Sequence, residues 1–558
     1  CEGVFTIVIT DTGRLFKSSL LCKQIKSTSS EFEIYMIPRQ MGLFAFFLVI
    51  LCLEAMVVGS EINISQNIDP LSTPFFITNL EEIEDFPLVF DKPLPPWLKG
   101  TLIKNGLGRF EFGERKFRNV LDAYAKLSSW KFTGNGNAAF STRFIRSKSY
   151  NESLARNDIA PYMTLDGTTP PFSLPEKMES MINGADNMNV NVYRYPEGSY
   201  VAISDYWNCY ELDPKSLLTI EDIKPKVPNA TILEKIMMLS TAHPLPEYGK
   251  NSFITFVTLA SAIPEMKSRI KLIRVKSVLE RQEIVNIDVD RVPYMHSFGL
   301  TENYAVIIAM PFFVDLIKAF KTFTALDVFE WDPSAGTTMY VINIKTGKLQ
   351  ILKTDAIFFV HTVNAYEDED DTIFLDIATY NDTRSMHFFD LDVLSDPLAR
   401  AKQPPADLRR FKLDLSKNTV EISSFPSPSK IDLADHLDFP VINEKVRSNK
   451  YCFVYGIRYN MDGEDYLHMA LVKKDVCTGI GDAYWSQPYT YLTEPWFFPT
   501  PEASREDDGI LLLPMLDTQT GKTTFTILNA TNLALITKST LPTSNPFATH
   551  GRFFDELF

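Results

Sequence analysis
Short runs of β-branched and aromatic residues, separated by turn chemistry, recur along almost the whole chain and limit its architecture more than any other feature. Asn191–Tyr195, Pro196-Glu197-Gly198 and Tyr200–Ser204 read as strand, turn and strand, with glycine where the turn needs a positive φ. Tyr340–Ile344, Lys345-Thr346-Gly347-Lys348 and Leu349–Leu352 repeat the pattern, and Thr520-Gly521-Lys522 introduces Thr524–Leu528 in the same way. Helical periodicity is scarce, and 34 prolines are spread through the sequence. Many short hairpins in succession, with no obvious linker, predict an all-β chain folded as a β-propeller rather than a string of separate sandwiches. No strict blade-length repeat is visible.

The 558 residues carry 55 basic and 70 acidic side chains, a net charge of −15. A nucleic-acid binder needs a basic footprint to neutralise phosphates, so no nucleic-acid partner is expected. The N-terminus differs from the body. Residues 1–40 show no clear period and read as non-native sequence or translated leader. Residues 41–60 contain the apolar run Leu43–Leu53 followed by Met56-Val57-Val58-Gly59-Ser60, the pattern of a cleaved signal peptide. The run is too short for a membrane span of about 20 residues. Residues 61–558 are then expected to form a single propeller domain. A cleaved 41–60 segment implies the secretory pathway or the cell exterior; otherwise the reading is cytoplasmic with peripheral membrane association. Sequons at Asn63, Asn151, Asn229, Asn381 and Asn529 suit a secreted chain. Beyond the N-terminal segments only Cys209, Cys452 and Cys477 remain, too few and too widely spaced for a disulfide framework or a metal knuckle.

One segment breaks the β pattern. Within 312–323, Phe313, Leu316, Ile317 and Phe320 fall at helical spacing, with Lys318 and Lys321 on other faces. This predicts a helix that either packs on the propeller or lies in a membrane interface.

The chemistry rests on seven histidines: His243, His296, His361, His387, His436, His468 and His550. No two have the spacing of a helix-borne zinc pair, so hydrolytic zinc chemistry has no support. Four have informative neighbours: Ser240-Thr241-Ala242-His243-Pro244, Tyr294-Met295-His296-Ser297-Phe298-Gly299, His361-Thr362-Val363-Asn364-Ala365-Tyr366-Glu367-Asp368, and His550-Gly551-Arg552-Phe553. In order and approximate spacing these resemble the iron-ligand motifs of the carotenoid cleavage oxygenase family. Gly106–Gly113 with Phe117, Asp122–Phe132, Arg143-Phe144-Ile145-Arg146 and Glu506-Asp507-Asp508-Gly509 extend the likeness to its animal members, the β-carotene oxygenases and the retinoid isomerohydrolase.

The resemblance implies a seven-bladed propeller, a few helices and loops capping one face, and one Fe2+ on the axis held by His243, His296, His361 and His550. Imidazole suits ferrous iron, and neutral ligands leave the ion its full charge. It further implies dioxygen and a carotenoid or retinoid as reactants, cleaved to aldehydes such as retinal, with cis isomerisation as a possible accompaniment. Three carboxylates are expected to fix the second ring nitrogens: Asp205 for His296, Asp438 for His361 and Glu494 for His550. The family uses glutamate at all three, so two are shortened by one methylene here. A direct contact then requires the backbone to move inward, or a water to bridge the gap. Leu245 replaces a frequent histidine of the first motif, and Ala123 stands where the family's Asp-Gly turn has glycine. Alternative readings are a retinyl-ester isomerohydrolase on the same fold, or a carotenoid-binding protein without catalysis. A rival metal site, the His-x-Asp spacing of His436-Leu437-Asp438 with a distant histidine such as His550, follows the facial-triad pattern. His387 and His468 read as structural.

Overall fold
Among the described residues of the computed structural model every strand ladder is antiparallel, as expected when successive strands are joined by tight turns. The structure describes residues 70–558 apart from 71, 231–237, 262–266, 316–317, 319–323, 369–370, 429–431, 460–467 and 546. The proposed leader and signal peptide, 1–40 and 41–60, lie outside the described residues. Among the described residues no helix is long and apolar enough to cross a membrane.

The hairpins read from sequence are present. Asn191–Arg194 pairs with Tyr200–Ile203, Thr337–Asn343 with Leu349–Thr354, and Gly509–Asp517 with Lys522–Asn529. Gly347, at φ 73°, takes the left-handed conformation its turn requires. Among the described residues seven sheets have four or five strands, and two smaller ones have two and three. Within a large sheet the strands mostly follow one another in sequence order. An inner strand such as Gly509–Asp517 is buried along all but its last residue, whereas an outermost strand such as Thr419–Ser423 is mostly exposed. One departure from sequence order joins the two ends of the body. The strand Phe547–Phe554 pairs with Lys99–Arg109, in a sheet otherwise built from residues 83–144. Gly551 permits this approach: a Cβ there would lie 2.3 Å from the Ile103 carbonyl oxygen.

Two expectations are corrected. Phe312–Val314 is a strand paired with Phe329–Trp331, not the start of a helix; Phe312 is buried against Phe329, with ring centroids 4.8 Å apart. Alternation placed Phe312 inward, and this burial outweighed the helical spacing. Residues 316–317 and 319–323 of that segment lie outside the described residues. Cys452 and Cys477, read as too few and too widely spaced for a disulfide framework, form one disulfide. They flank the hairpin made by Phe453–Arg458 and Ala470–Asp475, so strand pairing brings together cysteines 25 residues apart in sequence. Ala123 has φ −57°, so its turn needs no glycine.

Candidate metal centre
Each of the seven larger sheets delivers one residue to a common centre. His550 comes from the closing sheet, Asp205 from just after strand Tyr200–Ile203, and His243 from the loop before Leu245–Pro246. His296 precedes strand Gly299–Leu300, and His361 lies in Phe358–Asp368. Asp438 opens strand Asp438–Val441, and Glu494 lies between Thr490–Leu492 and Trp496–Pro499. Three of these positions sit in ladder irregularities. Pairing shifts between Phe359 and Thr362 around His361, between Asp438 and Val441, and opposite His550 between Lys104 and Gly106. A bulge re-aims side chains that regular alternation would point elsewhere.

The four histidines form one cluster whose candidate ligand atoms all lie within 4.8 Å of one another. Nε2 of His243 is 2.9 Å from Nε2 of His296, and Nε2 of His361 is 3.2 Å from Nε2 of His550. Adjacent imidazoles on one ion, with bonds of about 2.1 Å, place their nitrogens about 3 Å apart, so the donor set fits a single transition metal. Burial, followed by the neighbouring histidines, holds His243 well below its usual pKa. Burial brings His550 down to about 4 despite the opposing pull of Glu494. Both rings therefore keep a free lone pair at neutral pH.

All three carboxylates reach their histidines directly. Nδ1 of His296 lies 2.7 Å from Asp205 Oδ2, Nδ1 of His361 lies 2.6 Å from Asp438 Oδ1, and Nδ1 of His550 lies 2.8 Å from Glu494 Oε1. No bridging water is needed for the two aspartates. Among the described residues no carboxylate bonds the His243 ring. Its loop is fixed instead through Asp205 Oδ1, which accepts from Ala242 N–H at 3.2 Å, and through Thr241 Oγ1, which accepts from His243 N–H at 2.9 Å.

A further set of donors holds the carboxylates. Tyr294 donates to Asp205 Oδ2 at 3.0 Å, Tyr380 to Asp438 Oδ2 at 2.6 Å, and Lys104 lies 3.5 Å from Glu494 Oε2. Burial, and then the adjacent carboxylate, pushes both phenols well above their usual pKa, so they stay protonated donors. Sequence reading missed these three residues. Tyr380 ends the strand Thr372–Tyr380 and Tyr294 lies in the loop two residues before His296, and only the folded chain brings them to carboxylates 58 and 89 residues away.

The rival site does not assemble. His436 Nδ1 lies 2.7 Å from Asp407, while the carboxylate of Asp438 points to His361. His387 contacts Asp390 at 2.5 Å, which raises its pKa; neither it nor His468 belongs to the cluster.

Two cavities meet at the histidines. The larger, about 220 Å³, is walled by Met163, Leu165, Phe329, Phe388, Phe389 and Phe439, and reaches His296, His361 and His550. The smaller, about 70 Å³, mixes polar walls such as Glu444 and Arg447 with apolar ones such as Phe298 and Trp496, and reaches His243 and His361. Phe439 has φ 52°, an uncommon conformation for a bulky residue. It sets the ring 4.8 Å from His361 while the preceding Asp438 also faces that histidine.

Residues 78–555 match the family model described as retinal pigment epithelial membrane protein. The chain belongs to this family. Among curated relatives, the mitochondrial carotenoid-cleaving dioxygenase of Pongo abelii is 26% identical over 82% of this chain and 90% of its own length. The beta,beta-carotene 15,15'-dioxygenase of Rattus norvegicus is 25% identical over 85% and 90%. Cobalt-substituted Synechocystis ACO superposes with a TM-score of 0.74 at 21% identity, covering 87% of this chain and 99% of that one. The fold is therefore the mostly-β propeller of this family, in line with the sequence expectation.

Proposed function
We propose that this family member is an Fe(II)-dependent dioxygenase that cleaves a carotenoid or apocarotenoid double bond to two aldehydes, retinal being one candidate product. The observation that carries this reading is the gathering of four imidazole nitrogens, with His296, His361 and His550 on the wall of an apolar, aromatic-lined cavity. The overall change, R–CH=CH–R′ + O2 → R–CHO + R′–CHO, places both oxygen atoms in the products and needs no external reductant. His243, His296, His361 and His550 would hold the iron. When bound, iron supplies the electron exchange that lets dioxygen react with a closed-shell polyene.

The chain's own contribution is positioning. Phe329, Phe388 and Phe389 offer faces on which a polyene packs while water is excluded. Phe439 narrows the cavity beside His361 and His550, with ring centroids 4.8 Å and 5.2 Å away. Asp205, Asp438 and Glu494 fix the tautomer and orientation of three rings. We read the seven larger sheets as seven blades with the metal on their axis, a reading supported by the one residue each contributes.

Peripheral membrane contact belongs to the same reading, through a different segment from 312–323. Leu174, Met178 and Ile182 recur every fourth residue on the helix Leu174–Asn183 and are 42%, 42% and 84% exposed. That helix leads through Gly184 into Ala185 and Asn187 of the cavity wall.

The ligand assignment is tested by metal content. Purified protein should carry one iron per chain and lose it in His296→Ala and His361→Ala; full retention in both would contradict the assignment.

A further inference from the structure
We infer that this protein matures in an oxidising secretory compartment, where Asn151 and Asn381 accept N-linked glycans and Cys452 is oxidised onto Cys477. Two independent features support this.

The first is the disulfide. Cys452 immediately precedes strand Phe453–Arg458, Cys477 lies two residues beyond strand Ala470–Asp475, and Val476 N–H donates to the Cys452 carbonyl at 2.8 Å. The bridge closes the base of a hairpin at the surface, and Cys477 is exposed. An exposed bridge is reduced by the thiol pool of the cytosol and persists where oxidants prevail. Its formation removes two protons and two electrons from the thiols and reduces the disulfide of a thiol oxidoreductase to a dithiol.

The second is the placement of the sequons. Asn151 lies on the outer side of the helix Lys148–Arg156, beside the exposed run 154–157, and its amide holds only the Arg146 carbonyl, at 3.1 Å. Asn381 follows strand Thr372–Tyr380 and is exposed. Both have room for a bulky, solubilising substituent. In the transfer, Asn Nδ2 bonds to C1 of the oligosaccharide, the bond from C1 to the lipid pyrophosphate breaks, and the amide loses one proton. The hydroxyl of Ser153 in the first sequon is buried against Tyr124 in the fold, so transfer takes place on the unfolded chain. Asn529 is not assigned a glycan: it is half-buried, and its Oδ1 accepts from Thr531 and Asn532 N–H at 2.8 Å and 3.2 Å.

The test is expression of the full chain with its own N-terminus in cultured animal cells. Treatment with peptide N-glycosidase should increase mobility, and Asn151→Gln and Asn381→Gln should each remove one glycan-sized step. Deglycosylation of wild-type protein in heavy-oxygen water, which labels each formerly occupied asparagine as aspartate, reads the same positions without any variant. Non-reducing peptide mapping should recover Cys452 linked to Cys477. Protein without glycosidase-sensitive mass and with both cysteines alkylated as thiols would overturn the inference, as would labelling that spares both Asn151 and Asn381.

Discussion

The Tyr380 hydroxyl donates to Asp438 Oδ2 at 2.6 Å while the other oxygen of that carboxylate meets His361 Nδ1 at 2.6 Å. A buried aspartate is thereby satisfied on both oxygens and locked against a ligand ring. Removing the phenol oxygen leaves Oδ2 short of a partner, a loss of about 1–3 kcal/mol. Tyr380→Phe should lower iron affinity by up to about 10-fold, at the weak end of effects seen for groups around metal ligands. Chelator competition followed by metal analysis reads the change.

Shortened carboxylates raise the question of whether glutamate would serve better. Because Asp205 and Asp438 already bond their histidines at 2.7 Å and 2.6 Å, an added methylene has no room without moving a ring. Asp205→Glu and Asp438→Glu should each weaken iron retention by about 10-fold or more. A gain in iron content or oxygen uptake in both variants would show that the aspartates are poor substitutes.

Acid should loosen the segment that carries His243. Burial alone would raise the Glu247 pKa, but hydrogen bonds from Arg274, Lys250 and Ser252 outweigh it and bring it down to about 2. A carboxyl depressed in the folded state stabilises fully above its unfolded pKa of about 4.3, and that stabilisation is lost as pH falls toward the folded value. The Tm difference between wild type and Glu247→Gln should be widest above pH of about 5 and shrink below it. A difference independent of pH would contradict this.

Phe439 tests the cavity. Phe439→Ala removes the ring beside His361 and His550 and opens space for the polyene to slide. kcat/KM should fall by about 10- to 100-fold through mispositioning, with a wider spread of aldehyde products by chromatography. Unchanged product identity at an unchanged rate would place the polyene elsewhere.

Much of the site was legible because each histidine keeps its local context, even though the four span residues 243 to 550. The pairing of Asp205, Asp438 and Glu494 with their histidines followed from resemblance, and in the structure their carboxylate oxygens lie 2.7 Å, 2.6 Å and 2.8 Å from Nδ1 of His296, His361 and His550. The contacts of Tyr380 and Lys104 were illegible because strand register, set by burial over whole sheets, decides what they touch, and that of loop residue Tyr294 because its partner Asp205 comes from a different sheet. The same cause hid Cys452–Cys477, which no motif announces. Phe312–Val314 misled because Phe313 also opens the helical spacing Phe313, Leu316, Ile317 and Phe320, and a short continuous apolar run fits strand or helix alike.

The central claim is that the four-histidine site consumes dioxygen to cut a polyene. Iron-loaded protein should be incubated with β-carotene in the presence and absence of oxygen, with His296→Ala in parallel, and products identified by mass spectrometry. The account predicts two aldehyde carbonyls per dioxygen consumed, none without oxygen and none from the variant. Oxygen-independent formation of a cis-retinol from retinyl ester, or tight β-carotene binding without oxygen uptake by fully iron-loaded protein, would contradict it.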